Sequence, residues 1–276
     1  MKGLVLDGGG VFGIGQALIL AQVDVRKFDF FAGTSIGSAI AASLAFGNPS
    51  SELPKFFHEW MPKIFEGHKW RSWNICSARY PDAQLNQALQ SILVGTLGSV
   101  SKPLFICAAN LGSQKLKVFN SDDPDDGSWL LWEVVRTSVA GETYFVPWKG
   151  YGDGGMYANN PSMVAIAGAA RRFHAKVEDL EICSIGTGST SSNPDVMPTA
   201  SWSRVRWGLW MIEALLNGAG NSMHSYFAQS LPLKKYVRID FSREPGWEMD
   251  DPEVMLKAEK CWKSLIDDAI KVVSQF

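Results

Sequence analysis

Residues Phe28-Asp29-Phe30-Phe31-Ala32-Gly33-Thr34-Ser35-Ile36-Gly37-Ser38-Ala39-Ile40 decide how this chain is read. An apolar run meets Gly33-Thr34-Ser35-Ile36-Gly37, and an apolar helical pattern follows to about Phe46. The pattern is strand, tight turn, helix, with a serine at the apex. That context is what gives G-x-S-x-G a meaning. The glycines allow a sharp bend and leave room beside the serine. The helix N-terminus aims amide N–H groups and a partial positive charge at whatever Ser35 Oγ attacks. Ser35 is therefore read as a nucleophile. Alone, the same five residues more often describe a small serine capping a helix, so the rest of the chain has to decide.

Before this turn, Gly3-Leu4-Val5-Leu6 reads as a buried strand that breaks into Asp7-Gly8-Gly9-Gly10-Val11-Phe12-Gly13. Three consecutive glycines expose backbone N–H groups that suit an anion. Gly8, Gly10 and Gly13 also fit the dinucleotide fingerprint G-x-G-x-x-G, with Asp29 at about the required offset. Asp29, however, precedes the apolar residues of the second strand instead of standing at its tip. The favoured reading is an oxyanion loop, with Gly8, Gly9 and Gly10 serving the carbonyl that Ser35 attacks. Far downstream, Gly152-Asp153-Gly154-Gly155 offers an approachable carboxylate. On its own it is an ordinary D-G turn. Beside Ser35 and the glycine loop, Asp153 is the best base for the serine's proton.

Between and beyond these blocks, strand-like and helix-like runs alternate. Helices are expected over 52–66, 82–94, 129–139, 158–173 and 251–273, with Asp82 as an N-cap. Strands are expected over 103–109, 115–119, 180–185 and 236–240. An acidic loop is expected at 122–127, an extended run at 143–148, a turn at 150–155 and a polar loop at 189–201. The alternation predicts an α/β sheet with helices on both faces. No repeat or linker divides it, so one domain over 1–276 is expected.

The 276 residues are 46% hydrophobic, enough for a sizeable core, and the net charge of −2 comes with no basic tract. Nothing argues for nucleic-acid binding. No window approaches the ~20 apolar residues of a spanning helix, and no leader is evident at Met1. Cys107 and Cys183 sit in strand-like runs, and the four cysteines lack metal-type spacing. The chain is read as soluble and cytoplasmic, without cofactor or metal. The 11 tryptophans cluster at Trp60, Trp70, Trp73 and at Trp202, Trp207, Trp210. Trp202, Val205, Leu209, Ile212 and Leu216 share one helical face. A helix buried between sheet and cap fits this slightly better than an interfacial helix, lid or oligomer surface. Lys63, Lys69 and Arg71 raise the interfacial question for the first cluster too.

Five ordered blocks carry a resemblance. Asp7-Gly8-Gly9-Gly10-Val11-Phe12-Gly13, Gly33-Thr34-Ser35-Ile36-Gly37 and Arg136-Thr137-Ser138-Val139-Ala140-Gly141-Glu142-Thr143-Tyr144-Phe145 are the first three. Asp153-Gly154-Gly155 with Ala158-Asn159-Asn160-Pro161, and Ser184-Ile185-Gly186-Thr187-Gly188, complete them. The chain resembles the patatin-like phospholipase family from residue 3 to about 188, and its C-terminal third diverges. The resemblance implies a three-layer α/β sandwich with a mostly parallel central sheet. It implies a Ser–Asp dyad acyl hydrolase of phospholipid or a membrane surface, with Ser35 the nucleophile, Asp153 the base and Gly8, Gly9 and Gly10 the oxyanion loop. A homo-oligomer or activating partner is expected to restrain such an enzyme, as in membrane-degrading effectors. Phe12 stands where the family usually has arginine, and Glu142 where it has proline. The alternatives are a catalytically weak scaffold, a dinucleotide-binding domain, and a Ser35–Asp153–His224 triad of α/β-hydrolase order.

Overall fold

The computed structural model describes residues 1–67, 77–190, 202–214 and 220–276. Lys69, Trp70, Arg71, Trp73, Cys76, Leu216 and most of the polar loop 189–201 lie outside the described residues.

Among the described residues, seven strands form one sheet. The continuous path runs β4 (Lys115–Asn120), β3 (Leu104–Asn110), β2 (Phe30–Thr34), β1 (Lys2–Leu6), β6 (Glu181–Ile185), β8 (Lys235–Ile239). β1, β2, β3, β6 and β8 are parallel, while β4 pairs antiparallel with β3. β5 (Tyr151–Asp153) also pairs antiparallel with β3, setting Asp153 opposite Ala108. A separate parallel pair joins β7 (Ser189–Thr190) to β9 (Ser242–Arg243).

The short central strands are apolar on both sides, as strands covered by helices on both faces must be. Leu4, Leu6 and Phe31 belong to one core and Val5, Phe30 and Ala32 to the other. The first, larger core packs against α1 (Gly13–Leu20), α2 (Ile36–Phe46), α3 (Leu53–Ile64), α4 (Ala83–Ile92) and α5 (Leu131–Ser138). The second packs chiefly against α6 (Ser162–Phe173). α7 (Arg204–Ala214), α8 (Gly220–Ser230), α9 (Pro252–Cys261) and α10 (Lys263–Ser274) complete the described α-helices of eight residues or more. The result is a three-layer α/β sandwich.

Several local expectations change. The acidic loop contains a helical turn, Pro124–Gly127, capped by the Asp123 carboxylate on the Asp125 N–H. Residues 143–148 are irregular, with Thr143 at φ 73°. The turn expected at 150–155 contains β5, a strand too short and glycine-rich to show alternation. The single final helix is two, broken at Trp262, whose ring stacks on Phe241 at 4.4 Å and whose Nε1 donates to the Ser242 carbonyl. Asp82 caps α4 without a side-chain hydrogen bond and faces Arg136 at 3.5 Å instead. On the tryptophan-rich helix, Trp207, Trp210 and Met211 are 45%, 41% and 51% exposed, so the helix is not covered on every side. Cys107 and Cys183 are buried free thiols.

Candidate active site

The elbow forms because α2 starts immediately after β2, close over β1. A Cβ on Gly33 would lie 2.4 Å from the Gly37 carbonyl oxygen, and one on Gly37 would lie 2.3 Å from that of Leu6. Only glycine permits that approach. Ser35 itself has φ 51° and ψ −128°. Such a backbone costs a non-glycine residue ~1–3 kcal/mol and persists only where its surroundings impose it. Here Ser138 imposes it. Its Oγ accepts the Ser35 N–H at 2.9 Å and donates to the Cys107 carbonyl at 2.6 Å. Ser38 adds a hydroxyl donor to the Ser35 carbonyl at 2.6 Å.

β5 carries Asp153 to the other side of Ser35. Ser35 Oγ donates to Asp153 Oδ2 at 2.6 Å, and the Gly155 N–H donates to Oδ1 at 2.7 Å. Asp153 is 3% exposed. Burial pushes its carboxyl up to about 6, against the opposing pull of those two hydrogen bonds. Near neutral pH the carboxylate is therefore largely ionised and accepts the Ser35 hydroxyl in a hydrogen bond. No imidazole stands between them. His224 Nδ1 lies 2.6 Å from the Asn160 carbonyl, and burial lowers its pKa. His224→Ala is expected to retain most ester hydrolysis. A folded His224→Ala protein without activity would restore the triad.

The glycine loop lies against this pair, but its three amides differ. The Gly8 N–H donates to the Asn159 carbonyl at 3.1 Å, so the expectation that all three amides serve an oxyanion does not hold for Gly8. Gly9 and Gly10 line the same cleft as Ser35 and Asp153. The dinucleotide reading also fails on geometry. Asp29 accepts the Lys2 N–H at 2.7 Å, at the opposite end of β1 from the glycines.

The cleft is narrow, with a volume of about 70 Å³. Its apolar wall comes from α3 and α4, through Phe56, Met61, Ile64, Leu85 and Leu89. α3 is strongly amphipathic, with Leu53, Phe57, Trp60, Met61 and Ile64 buried. Such a wall suits an apolar ligand, with Ser35 and Asp153 among the few polar groups that line the cleft. Among the described residues, no group of His, Cys, Asp or Glu is placed to hold a metal ion.

The first 166 residues decide the family. A model described as patatin-like phospholipase matches residues 4–166. The chain belongs to the patatin-like phospholipase family. This patatin-like phospholipase is 29% identical over 244 residues to a cGAMP-activated phospholipase of Escherichia coli (strain TW11681), covering 75% of this chain and 68% of the relative. It is 27% identical over 285 residues to a cGAMP-activated phospholipase of Vibrio cholerae, covering 86% and 80%. It is 28% identical over 257 residues to patatin-like protein 4 of Arabidopsis thaliana, covering 74% and 64%. By family the protein is a lipid acyl hydrolase.

Two features of this patatin-like phospholipase escape a reading of motifs. Glu142 lies beside Gly152 and Asp153, and burial together with the Asp153 charge pushes its carboxyl up to about 8. Phe12 is fully buried, 6.1 Å from Trp247 in a stacked pair, with the Arg243 guanidinium 4.1 Å above its ring. The sequence marks Glu142 only as a departure from the family's usual proline and gives no sign of its buried carboxyl. Arg243 lies in the divergent third, where no motif points to it.

Proposed function

We propose that Ser35 and Asp153 form a catalytic dyad that hydrolyses carboxylic ester bonds of phospholipids through an acyl-enzyme. The observation that carries this reading is the 2.6 Å hydrogen bond from Ser35 Oγ to Asp153 Oδ2 in an apolar cleft. Asp153 takes the hydroxyl proton as Oγ attacks the ester carbonyl carbon. The oxyanion accepts N–H groups of Gly9 and Gly10, where each donor is worth about 3 kcal/mol in the transition state. The tetrahedral adduct then expels the alkoxide, which takes the proton from Asp153 and leaves as a lysophospholipid. Water, deprotonated by Asp153, attacks the acyl-Ser35 carbonyl. Collapse releases the fatty acid and returns the proton to Ser35.

The dyad needs Asp153 ionised. The rate of soluble-ester hydrolysis is therefore expected to rise about tenfold per pH unit on the acid side and level off above about 6. A pH–rate profile that stays flat well below that value would assign the proton transfer elsewhere.

The substrate sits in a membrane, and no described helix is long and apolar enough to cross one. The exposed Trp207, Trp210 and Met211 with the exposed Arg204 and Arg206 suit the surface of an anionic bilayer. A Trp207→Ala/Trp210→Ala protein is expected to bind anionic phospholipid vesicles several-fold more weakly in a sedimentation assay. Binding equal to wild type would remove α7 from the docking surface. The chain is best read as one domain, because β8 extends the sheet begun by β1. Relatives named as cGAMP-activated favour control by an activating ligand. The test is lipid analysis of anionic vesicles incubated with wild-type or Ser35→Ala protein, with and without cGAMP. Fatty acid and lysophospholipid should accumulate only with wild type. Identical products from both proteins would overturn the reading.

A further inference from the structure

Arg243 lies on β9, 8% exposed, in the third of the chain that carries no family motif. Burial lowers its pKa to about 10, which still leaves it charged at neutral pH. The nearby carboxylates Asp7 and Asp240 are bonded by Arg238 at 2.6 and 2.8 Å. Arg243 instead spans Thr187. Its Nε donates to the Thr187 carbonyl at 3.1 Å and its Nη2 to Thr187 Oγ1 at 3.0 Å. Thr187 Oγ1 in turn donates to the Gly8 carbonyl at 2.5 Å. A Cβ on Gly9 would come within 2.9 Å of Arg243 Nη2, so the guanidinium backs directly onto the loop.

The Gly8 carbonyl and the Gly9 N–H belong to one trans peptide, in which the two groups point in opposite directions. A hydrogen bond that fixes the carbonyl toward Thr187 therefore fixes the N–H away from it. The chain of donors also polarises that peptide and strengthens the N–H as a donor. We propose that Arg243, acting through Thr187, orients and polarises the Gly8–Gly9 peptide so that its N–H meets the oxyanion formed at Ser35. Arg243 is a positioning residue, and the inference rests on the dyad reading above. The ring of Phe12 gives the guanidinium its platform. A position where the family usually carries arginine thus receives one from the far end of the chain.

The test is steady-state hydrolysis of p-nitrophenyl butyrate by the full chain carrying Arg243→Gln, Arg243→Lys, Thr187→Val or Thr187→Ser, with Ser35→Ala as control. Circular dichroism establishes folding for each. Arg243→Gln and Thr187→Val are expected to lower kcat about tenfold or more with KM within about twofold. Thr187→Ser is expected to recover most of that loss, and Arg243→Lys, whose single ammonium cannot span both Thr187 oxygens as the guanidinium does, only part of it. Folded Arg243→Gln and Thr187→Val proteins with wild-type kcat would overturn the inference, as would a change confined to KM. If Arg243→Gln does not fold, Thr187→Val decides by the same criterion. A wild-type rate that survives Ser35→Ala would instead overturn the dyad reading, so the two failures are separable.

Discussion

Ser35→Ala is expected to lower ester hydrolysis by at least about 10⁴-fold, to the background of the assay, while the protein stays folded. The size of the effect follows from the absence of a substitute. The neighbouring hydroxyls are committed elsewhere: Ser138 Oγ is held between the Ser35 N–H and the Cys107 carbonyl, and Ser38 Oγ donates to the Ser35 carbonyl. The fold should tolerate the change, since among the described residues Ser35 Oγ bonds only Asp153. Removing it leaves Asp153 Oδ2 buried without that donor, which costs about 1–3 kcal/mol. Steady-state kinetics on a soluble ester, with circular dichroism on the same sample, measure both quantities. Residual activity within about tenfold of wild type would mean that another group performs the attack.

Asp153→Asn has the second-largest expected effect, a loss of about 10²–10⁴-fold in kcat. Asparagine keeps the shape of the aspartate. Its Oδ1 still accepts the Gly155 N–H, which places Nδ2 where Oδ2 met Ser35. An amide nitrogen there donates and cannot take the hydroxyl proton. The acid limb of the pH–rate profile should vanish with the carboxylate, leaving the residual rate flat through pH 6. A profile unchanged in shape would assign that limb to another group. Glu142 is the group to watch, because its carboxyl, raised by burial and by the Asp153 charge, lies beside Asp153.

The reach of the sequence follows from what kind of contact each feature needs. The elbow was legible because it is local: strand, glycine, serine, glycine and helix occupy one continuous stretch. The glycine loop was legible for the same reason, while Asp153 stood out only beside those two blocks, since its D-G stretch alone is an ordinary turn. Its strand was not. β5 is held by its pairing with β3, and Gly152 hides any alternation. The commitment of the Gly8 N–H to Asn159 joins residues 151 apart in the chain, which no spacing rule reaches. Glu142 contradicts the ordinary expectation that a glutamate stays in solvent. Arg243 is the clearest case. It reads as one more charge in a polar stretch until the fold lays it over Phe12 and against Thr187. Phe12 looked like a loss of charge beside the loop, and the charge is supplied from β9.

The central claim is that Ser35 is a nucleophile served by Asp153. It is tested most directly by the rate of labelling with a fluorophosphonate probe across pH, with the modified peptide identified by mass spectrometry. A single adduct on Ser35 is expected, forming more slowly as pH falls below about 6, much more slowly in Asp153→Asn and not at all in Ser35→Ala. An adduct on any other residue, or labelling that persists in Ser35→Ala, would contradict it.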